Sequence, residues 1–169
     1  MKFAKYCFYS FLFLSFIQLT SCKSSKGGSK TANSSQTQLS PEQKKLLSTA
    51  RSYVGTKYKY GGTTKKGMDC SGLICTSYKE IGITLPRTSS AQSDYGKRIY
   101  IGELQPGDLV FFGHKPNSKK ITHVGMVTKV NKGTITFIHA SSSQGVVESD
   151  MTTGWWRDRY LKAVRPLEK

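Results

Sequence analysis

Two cysteines five residues apart, Cys70 and Cys75, stand out in the segment GMDCSGLIC. Such a pair is typical of half a zinc site, of a disulfide, or of a reactive thiol beside an unrelated one. Zinc sites usually contain tightly spaced Cys or His pairs, and the sequence has no C-x2-C or H-x3-H pair. Five residues along a helix also turn the two side chains apart, which disfavours a shared metal and a disulfide. We expect no metal, and we interpret Cys75 as a small apolar residue of the core.

Cys70 has the neighbours of a nucleophile. Asp69, directly before it, is a residue type that caps helices, so Cys70 lies at the start of a predicted helix. A helix N-terminus and a nearby imidazolium both lower the pKa of a thiol and favour the reactive thiolate. Gly72 would leave room for a substrate backbone to approach the sulfur. These features predict that Cys70 attacks an electrophilic centre such as a carbonyl carbon.

Two histidines are placed to act with this thiol. His123 opens the run HVGMV and His139 ends the run TFIHA, and both runs predict neighbouring antiparallel strands. The two strand ends would then adjoin, so one imidazole would serve as general base and the other would orient it. A lone histidine at a strand start is more often a surface residue, and the combination with Cys70 is what indicates a catalytic triad. We interpret His114, in a hydrophilic loop, as a surface residue.

Apolar residues recur at helical spacing in two segments of the first half of the chain. The first helix is predicted to begin at Pro41, with Ser40 as its N-cap, and to end by Gly55. The second is predicted over 70–81, with the nucleophile in its first turn. A short polar helix is expected around 89–95.

The second half of the chain changes to a period of two, punctuated by turn residues, which is typical of strands. Five strands are predicted in the segments DLVFFG, THVGMVTKV, TITFIHAS, GVVES and YLKAVRPL. Helices followed by strands indicate an α+β fold, with helices packed on an antiparallel sheet of about five strands. Trp155 and Trp156 are interpreted as aromatic residues of the core and its rim rather than as a platform for substrate.

The first 21 residues have the pattern of a lipoprotein signal peptide. A basic segment precedes an almost uncharged apolar stretch that is too short to span a bilayer as a helix. The stretch ends in LTSC, which resembles the lipobox of bacterial lipoproteins and implies that Cys22 becomes the acylated first residue. An ordinary cleavage site followed by a chance cysteine is the alternative. Residues 22–39, rich in Ser, Lys and Gly, would form a flexible tether, and residues 40–169 the folded domain.

Length and charge limit the partners. A chain of 169 residues suits one domain with a hydrophobic core. The formal net charge is +16, and removal of Lys2 and Lys5 with the signal leaves 24 basic and 10 acidic residues, or +14. Such a field attracts nucleic acid, anionic lipid and acidic cell-wall polymers alike. The predicted export and the lack of a basic helix interleaved with aromatic residues argue against nucleic acid, and we expect a monomer.

Five motifs, in order, resemble the NlpC-type cell-wall cysteine peptidases, which are papain-like endopeptidases of bacterial peptidoglycan. The motifs are YKYGGTTKKGMDCSGLI, LPRTSSAQ, LQPGDLVFF, HVGMV and FIHASS, and the similarity extends over nearly all of residues 46–165. The resemblance implies a papain-like fold, in which a helix with the nucleophile packs on an antiparallel sheet with both histidines. It also implies that no metal or organic cofactor is required.

Carried over by position, the resemblance makes Cys70 the nucleophile, His123 the base and His139 the polar residue that orients the base. Relatives of this kind cut the D-glutamyl-diaminopimelate bond of stem peptides or the D-alanyl-diaminopimelate crosslink. The sequence does not choose between these two bonds.

The resemblance also assigns residues around the triad. Tyr58 matches a tyrosine whose hydroxyl reaches the mouth of the site and helps to hold the oxyanion. Asp69 and Ser71 match residues that contact polar groups of the substrate, although Asp69 is equally well explained as a helix cap. We interpret Tyr60 as a packing residue and place Arg87 at the border of the cleft.

Two other functions stay open. The same fold could act on another peptidoglycan amide, such as the bond between muramic acid and L-alanine, or the chain could be a lipoprotein that binds the wall through an idle cleft. The intact Cys70, His123 and His139 argue against an idle cleft. We expect a lipoprotein of the bacterial envelope, anchored through Cys22 and facing the periplasm, with the outer membrane favoured over the inner.

Overall fold

The computed structural model describes residues 38–168, so the predicted signal peptide, Cys22 and nearly all of the predicted tether lie outside the described residues. Within that range, no helix is long and apolar enough to cross a membrane. The helices of the described chain are α1 (Pro41–Arg51), α2 (Cys70–Lys79), α3 (Ser89–Gln92) and α4 (Gly154–Arg157), with a 3₁₀ turn at Ile101–Glu103.

Six strands form one antiparallel sheet, and two further strands form a small hairpin. The strands are β1 (Thr63–Thr64), β2 (Gly67–Met68), β3 (Lys97–Ile99), β4 (Leu109–Gly113), β5 (Ile121–Asn131), β6 (Thr134–Ser141), β7 (Gly145–Asp150) and β8 (Tyr160–Arg165). Strands β1 and β2 form the hairpin, in the glycine-rich loop before α2, and the strand order in the large sheet is β3-β8-β4-β5-β6-β7.

Helix α1 begins at the residue that the capping signal predicts. The hydroxyl of Ser40 accepts the N–H of Gln43, and the side chain of Gln43 accepts the N–H of Ser40, at 3.2 and 2.9 Å. These two bonds satisfy backbone donors that a helix start otherwise leaves unpaired. Leu46, Leu47 and Ala50 are then buried on one face of α1, in contact with the core.

Helix α2 packs its apolar face against strands β5 and β6. Leu73, Ile74 and Tyr78 on that face are fully buried, and the hydroxyl of Tyr78 donates to the carbonyl of Gly107. Burial of three large side chains, each contributing about 1.5–3 kcal/mol, fixes the helix on the sheet. The first turn of α2 is thereby held over β5, where one of the predicted catalytic histidines lies.

The two faces of the sheet carry separate apolar clusters, because side chains alternate along each strand. On one face, Phe111, Val124 and Ile138 pack with α1 and α2. On the other face, Phe112 and Phe137 pack with Trp156 and Tyr160, among others. The fold is α+β with helices on an antiparallel sheet, as the sequence predicts.

The large sheet has six strands where about five are expected. The additional strand, β3, has three residues and pairs at the sheet edge with β8, where Ile99 lies opposite Ala163. Two of its three residues are exposed, so the strand has little of the apolar alternation that identifies strands from sequence. Helix α2 ends at Lys79, two residues before the predicted end.

Candidate active site

Cys70 is the first residue of α2 and packs in one cluster with Val124, the residue after His123, whose backbone N–H lowers the pKa of the Cys70 thiol. The start of the helix and the start of β5 therefore meet at the sulfur. Cys70 is only 9% exposed, yet it lines two cavities, whose walls share Tyr58, Cys70 and Thr122. A buried thiol that is reachable from two cavities can meet a bond in an extended substrate.

The pKa of Cys70 is raised, contrary to the expectation that the helix start would lower it. Burial raises this pKa most, hydrogen bonds from the N–H groups of Val124, Ser71 and Cys70 lower it, and the charge of Asp69 raises it. The helix N-terminus does act on the sulfur, but burial outweighs it. The resting residue is thus a thiol, whose proton a base must remove during attack.

The two histidines predicted to cooperate are in direct contact. Nε2 of His123, near the start of β5, lies 3.1 Å from Nδ1 of His139, near the end of β6. Since Nε2 of His123 is taken by this contact, Nδ1 is the nitrogen left to receive the proton of a thiol. His123 and Cys70 line the same cavity. The arrangement has the parts of a thiol, a base and a group that orients the base.

Aromatic rings enclose the histidine pair. The ring of Phe137 stacks on His139 with centroids 4.7 Å apart. Trp156 meets His139 edge to face at 4.6 Å and lies tilted against His123 at 5.2 Å. Burial lowers the pKa of His123 to about 4. It also lowers the pKa of His139 to about 3, assisted by repulsion from His123. Both imidazoles are therefore neutral at pH 7, which is the state a general base requires.

Asp69 is the N-cap of α2, as predicted, and also the partner of Arg87. Its carboxylate accepts the N–H groups of Gly61 and Gly72, each at 2.7 Å, and two bonds from Arg87 at 2.6 and 3.0 Å. Burial tends to raise the pKa of Asp69, but the hydrogen bonds from Arg87 and Gly72 and the charge of Arg87 hold it below its ordinary value. Ser71 completes the group, because Arg87 also donates to its hydroxyl at 2.9 Å.

Asp69 and Ser71 are 5% and 6% exposed, whereas 42% of the Arg87 side chain is exposed. In this cluster the guanidinium is therefore the group that a ligand can reach most easily. The substrate contacts of Asp69 and Ser71 stay predictions.

Two expectations about nearby residues are wrong. Gly72 does not leave space for a substrate, because a β-carbon at this position would lie 2.2 Å from the carbonyl oxygen of Gly62. The space is filled by the glycine-rich loop itself, which also donates from Gly61 to Asp69. Tyr60 is not a packing residue, because 89% of it is exposed and it lines a cavity.

The cavity on the Arg87 side, here the Arg87 cavity, has a volume of about 300 Å³. Its walls include Tyr58, Asp69, Cys70, Ser71, Arg87 and Ser89. Tyr58 also lines the other cavity, and its pKa is raised by burial, by the Cys70 sulfur once that sulfur is ionised, and by the charge of Asp69. The hydroxyl of Tyr58 therefore stays protonated near the sulfur and can donate to a developing oxyanion.

The cavity on the histidine side, here the Trp155 cavity, is larger, at about 510 Å³. His123, Trp155, Trp156 and the hydroxyl-bearing segment 141–143 line it together with Cys70. Trp155 is 52% exposed, and its ring is held by Trp156 at 4.5 Å and by the guanidinium of Arg159 at 4.1 Å. Trp156 packs partly buried against the core and Trp155 is exposed at its rim, which fits the prediction for their packing. Both also line this cavity, so the alternative of a platform for substrate stays open. His114 is exposed, as predicted.

Cys75 points away from this site. Its thiol donates to the carbonyl of Pro86 at 3.2 Å and accepts from the side chain of Gln92 at 3.2 Å. It is half-buried rather than fully buried, and both described cysteines are free thiols. Among residues 38–168, no three His, Cys, Asp or Glu side chains are grouped closely enough to hold a metal ion.

Sequence reasoning missed the residue behind His139. That residue is Ser149 in β7, whose hydroxyl lies 3.1 Å from Nε2 of His139. In the β6–β7 hairpin, Ser141 pairs with Gly145, and this register puts Ser149 opposite Phe137. Phe137 and His139 lie on the same face of β6, so Ser149 is the diagonal neighbour of His139. The register counted from the turn would therefore have identified Ser149. The ion pair of Arg87 with Asp69 was also missed, because it joins a loop to a helix cap 18 residues away.

The chain matches the model of the NlpC/P60 family over residues 55–165. A probable endopeptidase NlpC homolog of Haemophilus influenzae is 41% identical over 123 residues, which are 72% of this chain and 62% of the relative. The murein DD-endopeptidase MepS/murein LD-carboxypeptidase of Escherichia coli K12 is 38% identical over 118 residues, which are 69% of this chain and 59% of the relative. The match thus spans less than two thirds of each of these relatives.

The fold is also similar to that of solved structures of the same family. The crystal structure of an NlpC/P60 family protein from Bacillus cereus ATCC 10987 aligns with a TM-score of 0.67 at 34% identity, covering 76% of this chain and 41% of that one. The segment matched by the family model contains Cys70 and His123, which line one cavity, and His139, which contacts His123. The chain belongs to the NlpC/P60 family.

Proposed function

We propose that this protein is a cysteine endopeptidase that hydrolyses amide bonds in peptidoglycan stem peptides or their crosslinks. The observation that carries the proposal is the contact of 3.1 Å between His123 and His139, made at the wall of a cavity that Cys70 lines together with His123. The names of the two relatives, a probable endopeptidase and a murein DD-endopeptidase/LD-carboxypeptidase, support this substrate class.

The first chemical step is attack of the Cys70 sulfur on the carbonyl carbon of the scissile amide. The thiol proton passes to Nδ1 of His123 as the sulfur–carbon bond forms, because the raised pKa of Cys70 keeps the resting group protonated. The carbonyl oxygen becomes an oxyanion. Backbone N–H groups at the start of α2 and the hydroxyl of Tyr58 are the donors that stabilise it.

The position of His123 sets the direction in which the substrate lies. The protonated His123 must give its proton to the amide nitrogen as the carbon–nitrogen bond breaks, so the departing amine lies on the histidine side of the sulfur. His123 lines the Trp155 cavity, so that cavity receives the amine-side part of the substrate. The acyl part, now a thioester on Cys70, occupies the Arg87 cavity.

The second step releases the acyl part. His123, neutral again, takes a proton from a water molecule as the water oxygen attacks the thioester carbon. The carbon–sulfur bond then breaks, the sulfur recovers a proton and the product leaves as a carboxylic acid. Cys70, His123 and one water molecule account for every proton and bond in this cycle.

The predicted anchor sets the place of action. Acylation at Cys22 would hold the domain at a membrane of the cell envelope through the tether, facing the periplasm, with the outer membrane favoured over the inner. The anchored domain would then act on the adjacent wall, and we expect it to act as a monomer. Replacement of Cys22 by Ser should move the protein from the membrane fraction to the soluble fraction of cells, whereas a chain that stays with the membrane after this change has another anchor.

Mass spectrometry of muropeptides tests the proposed reaction. The chain without residues 1–21, and with Cys22 replaced by Ser, should release fragments that identify the bond cut, and Cys70→Ala and His123→Ala should abolish the release. Cleavage between muramic acid and L-alanine would assign the chain to the amidase alternative. An unchanged muropeptide pattern from folded protein would instead indicate a wall-binding lipoprotein.

A further inference from the structure

The two ring nitrogens of His139 both have a partner. Nδ1 lies 3.1 Å from Nε2 of His123, and Nε2 lies 3.1 Å from Oγ of Ser149. His139 is only 1% exposed, so bulk water does not compete for either nitrogen. A neutral imidazole carries one proton, and these two contacts decide which nitrogen carries it.

The reaction requires one particular arrangement of protons along this chain of groups. His123 can accept the proton of Cys70 only if Nδ1 is bare, so the proton of the neutral ring is on Nε2 and is donated to His139. Nδ1 of His139 must then be an acceptor, which places the proton of His139 on its Nε2. The hydroxyl of Ser149 must accept that proton in a hydrogen bond.

The opposite arrangement would stop the reaction. If Ser149 donated to Nε2 of His139, the proton of His139 would be on Nδ1 and would point at His123. His123 would then have to accept at Nε2 and carry its own proton on Nδ1, where it could not take a proton from the thiol. The polarity of one hydrogen bond at Ser149 is thus linked to the tautomer of the base.

Ring packing alone cannot select the arrangement. Phe137 stacks on His139 with an interplanar angle of 15°, and Trp156 closes another side at 4.6 Å. These contacts fix the plane of the ring, but a flip of 180° about the Cβ–Cγ bond keeps that plane and exchanges nitrogen and carbon atoms of similar size. Only the hydrogen bonds to His123 and Ser149 distinguish the two orientations.

We propose that Ser149 is a positioning residue that accepts the Nε2–H of His139 and thereby holds His123 in the tautomer that can deprotonate Cys70. The proposal rests on the proposed function, and it adds a fourth group behind the thiol and the two imidazoles. Ser149 lies in β7 opposite Phe137 and lines neither cavity, so it acts through His139 and not on the substrate.

Kinetics of matched variants test the role. Ser149→Ala should lower kcat about tenfold, the scale of one lost hydrogen bond, and leave KM within about twofold. Ser149→Thr keeps the hydroxyl and a strand-forming side chain, so it should retain most of kcat. Ser48→Ala, the same change on the exposed face of α1, should have no effect. Equal kcat values for Ser149→Ala and the unaltered protein would overturn the proposal, and so would a defect in Ser149→Thr as large as that in Ser149→Ala.

A spectroscopic measurement separates this proposal from the proposed function. Long-range ¹⁵N–¹H spectra of the resting protein at pH 7 report directly which imidazole nitrogen carries the proton, and they need neither substrate nor activity. His123 and His139 should both carry it on Nε2, and Ser149→Ala should populate the other tautomer. A proton on Nδ1 of His139 in the unaltered protein would overturn the role of Ser149, even if peptidoglycan is cleaved. Lack of cleavage with both protons on Nε2 would instead contradict the proposed function and leave the tautomer assignment standing.

Discussion

Gly125 lies directly against the ring of Phe137, so closely that a β-carbon at position 125 would stand 2.4 Å from Cδ2 of that ring. Gly125 is two residues after His123 on strand β5, and Phe137 is two residues before His139 on strand β6. The missing side chain at position 125 lets Phe137 lie flat against His139, whose ring it stacks on. Gly125 thus determines how Phe137 packs beneath the ring of His139.

Substitution of this glycine should therefore harm both the fold and the site. In Gly125→Ala, Phe137 must move or β5 must separate from the carbonyl of Ile138, which would be 2.9 Å from the new carbon. We expect a loss of unfolding free energy of about 1–3 kcal/mol, typical of overpacking, and a fall in kcat of about tenfold or more. Denaturant unfolding and kinetics on muropeptides measure the two effects.

Gly102→Ala is the matched control, because nothing lies within 4 Å of a β-carbon at that exposed position. It should leave both quantities unchanged. A Gly125→Ala protein with full activity and stability would show that Phe137 has more freedom than its full burial indicates.

Asp69 should contribute to stability in two separable ways. Asp69→Ala removes the cap of α2 and leaves Arg87 without its carboxylate, and we expect a loss of about 2–4 kcal/mol in unfolding free energy. Asp69→Asn keeps a side chain that caps helices well but loses the charge, so it should be destabilised less. Urea unfolding at pH 7 compares the variants. If Asn costs as much as Ala, the ion pair with Arg87 dominates and the cap is minor.

The neutral histidine pair should make the protein less stable in acid. The folded-state pKa values of His123 and His139, about 4 and about 3, lie below the ordinary 6.5 that the unfolded chain has. Below pH 6.5 the unfolded chain therefore binds protons that the folded protein does not. The stabilisation is fully present above pH 6.5 and is lost progressively as the pH falls toward 3.

Urea unfolding between pH 7 and pH 5 measures this effect in a window above the titration of most carboxylates. Each histidine should contribute a slope approaching roughly 1.4 kcal/mol per pH unit below its unfolded pKa. In His139→Asn, the slope of unfolding free energy against pH should fall by the contribution of one histidine. An unchanged slope in that variant would mean that His139 binds its proton equally well in the folded and unfolded states.

The parts of the site that sequence reasoning placed correctly depend on local signals or on strand order. Asp69 as helix cap follows from residue type and from the apolar period of α2, and the meeting of His123 with His139 follows from two strands joined by a short turn. Such features need no knowledge of the rest of the fold. Strand β3 is different, since its short exposed sequence pairs with residues more than 60 positions away.

The missed features are properties of the packed structure. The raised pKa of Cys70 comes from burial, whereas the sequence shows only the helix start, which acts in the other direction. The space beside Gly72 is filled by Gly62, and a small residue in a sequence does not show what occupies the space it leaves. The position of Ser149 could be predicted only from the exact register of the β6–β7 hairpin. A shift of the register by one residue would have placed its side chain on the opposite face of the sheet.

Trp155 offers a test of the direction in which the substrate lies. If the amine-side part occupies the Trp155 cavity, Trp155→Ala should raise KM several-fold for a crosslinked muropeptide, because the exposed indole is lost as a contact surface, an effect of about 1 kcal/mol. The same variant should have little effect on a substrate whose amine side is a small chromogenic group. Trp155→Phe, which keeps an aromatic ring beside Trp156, should lie between the two. Steady-state kinetics of the three proteins on the two substrates give the comparison. An equal rise in KM on both substrates would place the acyl part in this cavity instead, and the assignment of the two cavities would have to be exchanged.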